Sequence, residues 1–293
     1  MKFTIDRPEQ FNYRECLRFL NRISNECLFK VQDEDVYSSI LIDQQAIPFK
    51  VAINEKALVI DTLPDIDIAL KEAVKKHIYD WFDLGRNLSP FYKLIAKDSR
   101  LTKLLMFKGL RMMGIPDLFE ALCWSIIGQQ INLEFAFKLK KRLVENYGFK
   151  VEYDGHEFWH FPTPTRLLQL NEEFQKANQF SRSKVKYLKN VSEAFESGRV
   201  SKQKLLELNS FQERQTLLTS IKGIGEWSAN YALMKCLHEP NAIPFGDTGL
   251  SQALFNLGII TDRKDRQQIE DFFRKFEGWE GYTTFYLWHS LLK

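Results

Sequence analysis

Asp247 is the residue of this chain best placed to do chemistry. It follows a Pro-Phe-Gly turn and directly precedes the helical pattern TGLSQALFNLG. An aspartate at such a point caps the helix, and local sequence alone favours that role. A cap also fixes a carboxylate in place, and a fixed carboxylate can stabilise developing positive charge or orient an attacking water. Both roles can hold at once.

Two aromatic residues stand upstream of this aspartate at helical spacing. Trp227 and Tyr231 are four positions apart in EWSANYALM, so they share one face of a predicted helix. Such a pair packs in a core as readily as it lines a site. If the pair faces a ligand, its rings attract a cationic group by about 0.5–2 kcal/mol. The sequence therefore offers a carboxylate and an electron-rich wall to one cationic or charge-developing substrate.

A turn with two glycines precedes the aromatic pair, in LLTSIKGIGEWSANY. Gly223 and Gly225 permit backbone conformations that a β-carbon would forbid. They also leave N–H groups free at the start of the next helix, where phosphate binds readily. A plain connection with a glycine C-cap is the commoner interpretation of an isolated Gly-x-Gly. A phosphate grip of this kind needs little positive charge, so DNA binding is compatible with a net charge of +3.

Length and composition indicate the class of protein that contains these residues. The chain has 293 residues, 44% hydrophobic and 27% charged, which is typical of a globular protein of about two domains. Its four cysteines are far apart and lack metal-ligand or disulfide spacing. The chain shows no apolar run of membrane-spanning length and no N-terminal signal region. We therefore expect a cytosolic protein.

The chain divides by pattern into two parts. Residues 1–95 contain the runs VYSSILI, PFKVAINE and ALVIDTL, which predict strands of an antiparallel sheet. The same part holds two helical patterns, FNYRECLRFLNRI and DIDIALKEAVKKHIYDWFDLG, the second ending at Gly85. Over residues 96–293 strand signals largely vanish. The sequence predicts an α+β domain over 1–95 and a helical domain over 96–293.

Helix starts in the second part are marked by capping residues. Asp117 is the first residue of DLFEALCWSIIG and comes directly before its apolar run. Asn132 precedes LEFAFKLKKRLVENYG, which ends at Gly148. Ser181 or Ser183 caps the basic helix SRSKVKYLKNVSEAFESG. Between the first two helices stands the polar break of Gln129 and Gln130, which by itself is an ordinary loop.

Two blocks together resemble a known family. LLTSIKGIGEWSANY followed by IPFGDTGL resembles the helix-hairpin-helix signature, with its downstream Asp, of the DNA base-excision glycosylase superfamily. DLFEALCWSIIGQQINLEFAFKLKKRLVENYG resembles the matching segment of its DNA-3-methyladenine glycosylase II branch. The resemblance covers most of the chain and is strongest over 117–148 and 216–252. It implies an α+β, mainly α fold, with an N-terminal antiparallel sheet domain before a bilobal helical glycosylase domain.

The resemblance also implies an activity. We expect a monofunctional glycosylase of base excision repair that flips alkylated bases, of the 3-methyladenine and 7-methylguanine type, out of duplex DNA and hydrolyses the N-glycosidic bond. Strand-cutting members carry a Lys near the place of Trp227, and the nearest basic residues here are Lys222 and Lys235. No lyase step is therefore expected. The expected protein is a monomer without membrane contact, in the bacterial cytoplasm with the nucleoid.

Site residues carried over from the resemblance fall into a few groups. Asp247 faces the flipped nucleotide, Trp227 and Tyr231 line the base pocket, and no cofactor serves catalysis. Gln130 is the wedge that fills the gap in the stack. The remaining positions are the phosphate contacts Gly223, Gly225 and Ser228, the last through its N–H or hydroxyl, and the main-chain carbonyls of Thr219, Ile221 and Ile224 for a structural Na⁺ or K⁺.

Two further assignments stay open in the sequence. The family often has a Trp near the chain end that lines the pocket, and Trp288 is the nearest equivalent here. Its register places it about one turn early, with Leu291 at the matching position, so a core role for Trp288 is an alternative. The basic segment of Arg182, Lys184 and Lys186 could track DNA, although a charge run is usually a solvated face.

Other functions of the same fold compete with this prediction. The chain could act on deaminated or oxidised bases, since Trp at position 227 opposes a lyase but not another lesion. It could also be a catalytically silent DNA-binding repair module that uses the hairpin only to hold phosphate. The spacing of Asp247 from the hairpin argues against the silent module.

Overall fold

The N-terminal part is built around a five-stranded antiparallel sheet. The computed structural model describes residues 1–42 and 45–292. The strands pair in the order β1-β5-β4-β3-β2, and every neighbouring pair is antiparallel. Their bounds are Lys2–Asp6 (β1), Phe29–Gln32 (β2), Asp35–Ile42 (β3), Gln45–Ile53 (β4) and Ala57–Thr62 (β5).

Alternation of side chains explains which face of this sheet is buried. Val51 pairs with Val36 on one side and Ile60 on the other, and all three are fully buried. Residues between them along each strand are more exposed, as the two-residue period of a strand requires. The three predicted strands are confirmed as β3, β4 and β5. The sheet also contains β1 and β2, which the sequence patterns did not indicate.

Three helices follow or cover this sheet. They are α1 (Tyr13–Leu20), α2 (Ile68–Trp81) and α3 (Ser89–Ala96), and a 3₁₀ turn spans Thr102–Phe107. The expectation that the second helix continues to Gly85 is wrong. Asp83 adopts a left-handed φ of +43°, so the helix ends before the glycine that was expected to end it.

The remaining chain is mainly helical, which confirms the predicted fold class. The predicted boundary between residues 95 and 96 falls inside α3, and the division there stays a prediction. The helices are α4 (Leu118–Gly128), α5 (Leu133–Tyr147), α6 (Pro164–Leu167), α7 (Glu172–Ala177), α8 (Arg182–Glu196), α9 (Lys202–Glu207), α10 (Phe211–Thr219), α11 (Glu226–Leu237), α12 (Thr248–Asn256), α13 (Arg266–Phe273) and α14 (Glu280–His289), with a 3₁₀ turn at Arg274–Phe276.

Side-chain caps fix the starts of most of these helices, α11 and α14 excepted. Asp117 and Asn132 accept the backbone N–H three residues on, at 2.7 and 2.8 Å, which confirms both predicted caps. Of the two serines proposed for α8, Ser181 is the cap. The start of α10 has a capping box: the Ser210 side chain accepts the Glu213 N–H, and the Glu213 side chain accepts the Ser210 N–H.

A two-stranded ribbon interrupts the helical part. Strands β6 (Phe149–Tyr153) and β7 (His156–His160) form an antiparallel hairpin, contrary to the expectation that strands end near residue 95. Its two-residue turn, Asp154 and Gly155, has positive φ at both positions. Asp-Gly between alternating runs is a hairpin signal that the sequence contains. The ribbon packs against β3, and Tyr153 donates from its hydroxyl to the Leu63 carbonyl at 2.8 Å.

The packing of a few helices brings the chemically interesting residues together. α4 packs against both α8 and α11, and α12 packs against α14. Tyr92 of α3 and Tyr286 of α14 share a buried 3.0 Å hydrogen bond that ties the first part of the chain to the last helix. Across residues 1–42 and 45–292, none of the helices is long and apolar enough to cross a membrane.

Candidate active site

Asp247 is fixed at the start of α12. Its Oδ1 accepts the Leu250 N–H at 2.8 Å, so the predicted cap is present. The preceding turn closes with a 3.0 Å bond from the Asp247 N–H to the Pro244 carbonyl. Gly246 has a φ of +85°, a left-handed conformation that favours glycine. The turn and the cap together fix the backbone of a half-buried carboxylate that solvent and ligands can still reach.

Two indoles hold this carboxylate from different helices. Trp227, in the first turn of α11, donates from Nε1 to Oδ2 of Asp247 at 3.2 Å. Trp288, in the last turn of α14, donates from Nε1 to Oδ1 at 2.8 Å. The partners of the carboxylate are therefore neutral N–H groups, which orient it and leave its negative charge uncompensated.

The third aromatic ring lies between these two tryptophans. Tyr231 stacks on Trp227, with ring centroids 5.5 Å apart and planes at 29°, and lies 5.9 Å from Trp288. Trp124 donates from Nε1 to the Tyr231 hydroxyl at 2.8 Å and so fixes the phenol. Burial raises the pKa of Tyr231 to about 12, and the phenol is neutral at physiological pH. The three predicted pocket residues thus form one continuous aromatic wall beside Asp247.

The structure resolves where Trp288 points. The sequence register favoured Leu291 at the matching position, but α14 ends at His289 and Leu291 lies beyond it. The Trp288 indole, not a residue one turn later, reaches the carboxylate. Gly249 leaves room for it, because a β-carbon there would lie 3.3 Å from Trp288 Cδ1 and 3.2 Å from Asp247 Oδ1.

The two glycines of the α10–α11 turn differ in what they require. Gly223 has a φ of +111°, and a β-carbon there would run into the ring of Tyr187. Gly225 has a φ of −93°, which any residue adopts, and a β-carbon there would meet open space. The expectation that both glycines need a forbidden conformation is therefore wrong for Gly225. Because Gly225 has no side chain, the space in front of the first turn of α11 stays open.

Backbone N–H groups at the start of α11 lie next to Gly225. The first helical bond of α11 runs from the Ala229 N–H to the Gly225 carbonyl, so the N–H groups before Ala229 lack helical acceptors. Ser228 itself is buried, and its hydroxyl accepts from Gln129 Nε2 at 3.0 Å. Of the two groups of Ser228 considered for phosphate, the hydroxyl already accepts a hydrogen bond, whereas the N–H has no acceptor among the residues that the structure describes.

The polar break after α4 is joined to this turn. Gln129 also donates from Nε2 to the Gly223 carbonyl at 3.0 Å. Gln130 is exposed, with a left-handed φ of +58°. The residue predicted as DNA wedge and the residues predicted to hold phosphate therefore lie on two loops that are hydrogen-bonded to one another.

Carbonyl groups of the same turn divide into two sets. Those of Lys222 and Gly223 accept from Asn190 Nδ2 at 2.8 Å and from Gln129. The Ile221 carbonyl accepts only the Ile224 N–H, at 3.0 Å. Those of Thr219 and Ile224 accept no hydrogen bond from the part of the chain that the structure describes. Carbonyl oxygens are ligands that Na⁺ or K⁺ accepts, and the assignment of the carbonyls of Thr219, Ile221 and Ile224 to such an ion stays a prediction.

An ion pair lies at the start of α11, next to the α10–α11 turn. Arg266 donates two hydrogen bonds to Glu226, at 2.7 and 2.8 Å, and a third to Glu270 at 2.7 Å. Its guanidinium lies 4.1 Å from the ring centroid of Phe245 in the turn before Asp247. Glu226 is the first residue of α11, where a phosphate would approach, so Arg266 neutralises a carboxylate beside the predicted phosphate contacts.

The family follows from comparison with known proteins. Residues 123–277 match the model of the HhH-GPD superfamily base excision DNA repair protein, and residues 5–122 match the 8-oxoguanine DNA glycosylase N-terminal domain. A DNA-3-methyladenine glycosylase of Bacillus subtilis is 36% identical over 98% of this chain and 96% of its own. The chain belongs to the HhH-GPD superfamily. It is a DNA glycosylase of base excision repair that acts by hydrolysis.

Other relatives support the same family and fold. DNA-3-methyladenine glycosylase 2 of Escherichia coli is 24% identical over 62% of this chain and 61% of its own. The 3-methyladenine DNA-glycosylase of Archaeoglobus fulgidus superposes with a TM-score of 0.85 at 24% identity, covering 98% and 97% of the two chains. An 8-oxoguanine glycosylase/lyase of Clostridium acetobutylicum, solved with double-stranded DNA, superposes at 0.74 with 22% identity over 98% and 97%. The fold is therefore one that DNA-bound glycosylases share.

Among the described residues, neither lysine weighed for a lyase step is hydrogen-bonded to the Asp247 carboxylate of this glycosylase. Lys222 is exposed on the hairpin turn. Lys235 is buried, donates to the Met113 carbonyl, and lies 5.0 and 4.8 Å from the ring centroids of Phe19 and Phe285. Burial lowers the pKa of Lys235 well below its ordinary value. The contacts of Asp247 are instead those of Trp227 and Trp288.

The basic segment of α8 does not form one surface. Arg182 and Lys186 are exposed, but Lys184 is buried and donates to three main-chain carbonyls at the end of α4. The expectation that Lys184 could track DNA is therefore wrong. A sequence pattern reports charge but not the neighbour that buries it.

The sequence of this glycosylase does not predict a cavity that lies next to the aromatic wall. It has a volume of about 530 Å³ and lies between the N-terminal sheet and helices α4 and α11. Tyr231, Trp124, Phe19 and Arg22 are among its lining residues. The Arg22 guanidinium lies 3.8 Å from the Phe19 ring centroid. No local signal marks Phe19 and Arg22, since Phe19 lies in the last turn of an ordinary amphipathic helix and Arg22 just beyond its end. Both approach Tyr231 only through tertiary packing.

Proposed function

We propose that this glycosylase excises alkylated bases, of the 3-methyladenine and 7-methylguanine type, from duplex DNA. The observation that carries the proposal is an uncompensated carboxylate, Asp247, beside a wall of three aromatic rings. Such bases are positively charged, and aromatic faces attract cations. The name of the 36% identical relative, DNA-3-methyladenine glycosylase, supports the same substrate class.

Hydrolysis in this site would proceed with little acid assistance. The bond from the base nitrogen to C1′ of the deoxyribose breaks, and the base leaves with the electron pair, which cancels its own positive charge. The sugar becomes oxocarbenium-like, as in glycoside hydrolysis, and Asp247 stabilises that charge. Water forms the new bond to C1′, and its proton passes by way of the Asp247 carboxylate to solvent. The products are a free neutral base and an abasic site.

We propose that the reaction ends at the abasic site. Schiff-base chemistry needs a neutral amine at the sugar. The side chain over the Asp247 carboxylate on α11 is the Trp227 indole, which cannot form one. The alkylbase glycosylase is therefore monofunctional and needs no catalytic cofactor.

DNA would be held by the two linked loops. The N–H groups at Gly223, Gly225 and Ser228 bind phosphate, and Gln130 fills the gap that the flipped nucleotide leaves. A Na⁺ or K⁺ on the carbonyls of Thr219, Ile221 and Ile224 would supply a positive charge between hairpin and phosphate. We propose that the protein acts on DNA as a monomer.

The decisive experiment measures base release from methylated duplex DNA by the wild type beside Asp247→Asn. Released bases are identified by chromatography, and strand nicking is scored separately. Release of 3-methyladenine or 7-methylguanine by the wild type alone, without nicking, is the expected result. Intact DNA binding without release would overturn the alkylbase assignment, and would favour another lesion or a silent binding module.

A second candidate substrate is an oxidised base. The match of residues 5–122 to the 8-oxoguanine DNA glycosylase N-terminal domain favours it. The same assay therefore includes a duplex with 8-oxoguanine opposite cytosine. Release of 8-oxoguanine from this duplex, without release from the methylated one, would make the oxidised base the favoured substrate.

A further inference from the structure

Lys184 occupies an unusual place for a lysine. It lies in the first turn of α8, is buried, and donates from Nζ to the carbonyls of Ile126 (2.9 Å), Ile127 (2.8 Å) and Gln129 (2.8 Å). The last carbonyls of a helix lack intrahelical partners, and a cation there also complements the helix dipole. One ammonium group therefore closes the C-terminal end of α4.

The segment that this ammonium closes is the one that we propose contacts DNA. Gln129 contributes one of the three carbonyls, and its amide is bonded to Gly223 and Ser228 of the hairpin. Gln130 follows at once, exposed and with a φ of +58°. Non-glycine residues rarely adopt this conformation, so the neighbouring contacts must hold it.

A direct role of Lys184 in binding phosphate is excluded by the same contacts. Its three donors are directed at three carbonyls inside the protein, and the residue is 8% exposed. Arg182 and Lys186, two positions away on either side, are the exposed cations of this helix. Charge alone therefore does not explain why a lysine stands at position 184.

We propose that Lys184 is a positioning residue for the DNA wedge: it clamps the end of α4 so that Gln130 projects into the base stack in register with the hairpin that holds the phosphate. The proposal rests on the proposed function, because a wedge has a role only if a nucleotide is flipped. Lys184 acts through Gln130 and does not touch the reacting atoms.

This role has a signature that a general structural role lacks. Flipping costs least when the target base is already mispaired. Loss of wedge positioning should therefore slow base release from a fully paired site far more than from the same lesion in a mismatch. A mere loss of folded protein or of affinity would lower both rates by the same factor.

The test compares Lys184→Met with Lys186→Met, which removes the same charge from an exposed position of the same helix. Single-turnover rates are measured on a paired and on a mismatched 7-methylguanine duplex. We expect Lys184→Met to lower the paired rate at least tenfold more than the mismatched rate, and Lys186→Met to affect both alike. Equal losses for Lys184→Met on the two duplexes would overturn the proposal.

Combination with Gln130→Ala supplies a second criterion. If Lys184 acts through Gln130, the double variant should have the paired-to-mismatched ratio of Gln130→Ala alone, whereas multiplied losses would contradict the proposal. If Lys184→Met does not fold, Lys184→Arg replaces it, because arginine keeps a cationic donor. The proposal then requires the paired-to-mismatched rate ratio of Lys184→Arg to lie between the ratios of the wild type and of Gln130→Ala. If Gln130→Ala leaves the wild-type ratio unchanged, the proposal is overturned.

A binding measurement separates this proposal from the substrate assignment. The duplex carries a stable abasic-site analogue with 2-aminopurine opposite it, so no base release is needed. We expect the fluorescence change on binding of the wild type to fall at least threefold in Lys184→Met and to persist in Lys186→Met. This result would stand even if the wild type released no methylated base, and an unchanged signal in Lys184→Met would overturn the wedge role alone.

Discussion

Trp288 donates its indole N–H to Oδ1 of Asp247, the same oxygen that accepts the Leu250 N–H at the start of α12. One oxygen thus serves both the local helix cap and a contact across the fold. Trp227 holds the other oxygen. The orientation of the carboxylate is therefore set by tertiary structure as well as by its own turn, and substitutions can separate the two.

Asp247→Asn should abolish most base release without unfolding the protein. Asparagine caps helices about as well as aspartate, so α12 keeps its start. The negative charge opposite the sugar is lost, and we expect a rate lower by about 10²-fold or more, as for other electrostatic groups in active sites. Single-turnover assays and binding to abasic DNA measure the two effects. Comparable activity in the variant would move the catalytic role away from this residue.

Trp288→Phe should keep the aromatic wall and lose the bond to Asp247. A hydrogen bond to a charged group contributes about 1.5–3 kcal/mol, which corresponds to a rate loss of roughly 10- to 100-fold if the carboxylate is misoriented. Trp279→Phe is the matched control, since this ring stacks on Phe91 at the start of the same helix. Equal losses for both tryptophans would mean that the effect comes from the packing of α14 and not from Asp247.

Borohydride should trap no covalent adduct between the wild-type protein and DNA. Trp227 offers no amine at the sugar, and Lys235 is directed at the Met113 carbonyl. Trp227→Lys is the positive comparison, because it places an amine on the helix face that contacts Asp247. Gel electrophoresis after reduction measures the adduct. A wild-type adduct that disappears in Lys235→Met would refute the monofunctional assignment and name the nucleophile.

Arg266→Gln should weaken duplex binding by about three- to fivefold, in line with the modest energies of exposed ion pairs. The substitution leaves Glu226 uncompensated at the start of α11, where we propose that phosphate binds. Adding Glu226→Gln should restore the affinity, and the difference should shrink at high salt. Fluorescence anisotropy gives the dissociation constants. A double variant as weak as Arg266→Gln would show that Arg266 itself contacts DNA.

His160→Phe should make the protein more resistant to mild acid. Burial lowers the pKa of His160 to about 4, and its Nε2 has no partner among the described residues. Between pH 6.5 and pH 4 the unfolded state therefore binds more protons than the folded one, and wild-type stability falls as pH falls. We expect the variant to lose less stability there, by on the order of 1–2 kcal/mol.

Stacking makes phenylalanine a suitable replacement at this position. The His160 ring lies 4.4 Å from Phe149, centroid to centroid, with planes at 7°. Urea unfolding of both proteins at pH 7.5 and pH 5 measures the difference. A gap in stability that is the same at the two pH values would attribute the effect to packing and not to titration.

Local signals predicted several helix starts and the turn before Asp247. Asp117, Asn132 and Asp247 cap their helices by bonds to residues three positions on, and such short-range chemistry is legible in sequence. The stacked pair of Trp227 and Tyr231 also follows from spacing on one helix face.

Features that depend on distant neighbours were not predictable in this way. The burial of Lys184 is decided by α4, 55 to 58 positions away in the chain. The cavity beside Tyr231 is lined by residues of both α1 and α11, and the contact of Trp288 with Asp247 depends on how α14 packs on α12. Only the β6–β7 hairpin could have been found, from its Asp154-Gly155 turn.

The bond between Trp288 and Asp247 joins residues 41 positions apart, and the second of them lies in the last helix. During synthesis the hairpin and the catalytic turn therefore leave the ribosome before the tryptophan that orients the carboxylate. A nascent chain interrupted in this interval would carry the groups proposed to hold phosphate without the indole that orients Asp247. In the proposed mechanism, competence for cutting bases from DNA is thus acquired only after residue 288 has been translated.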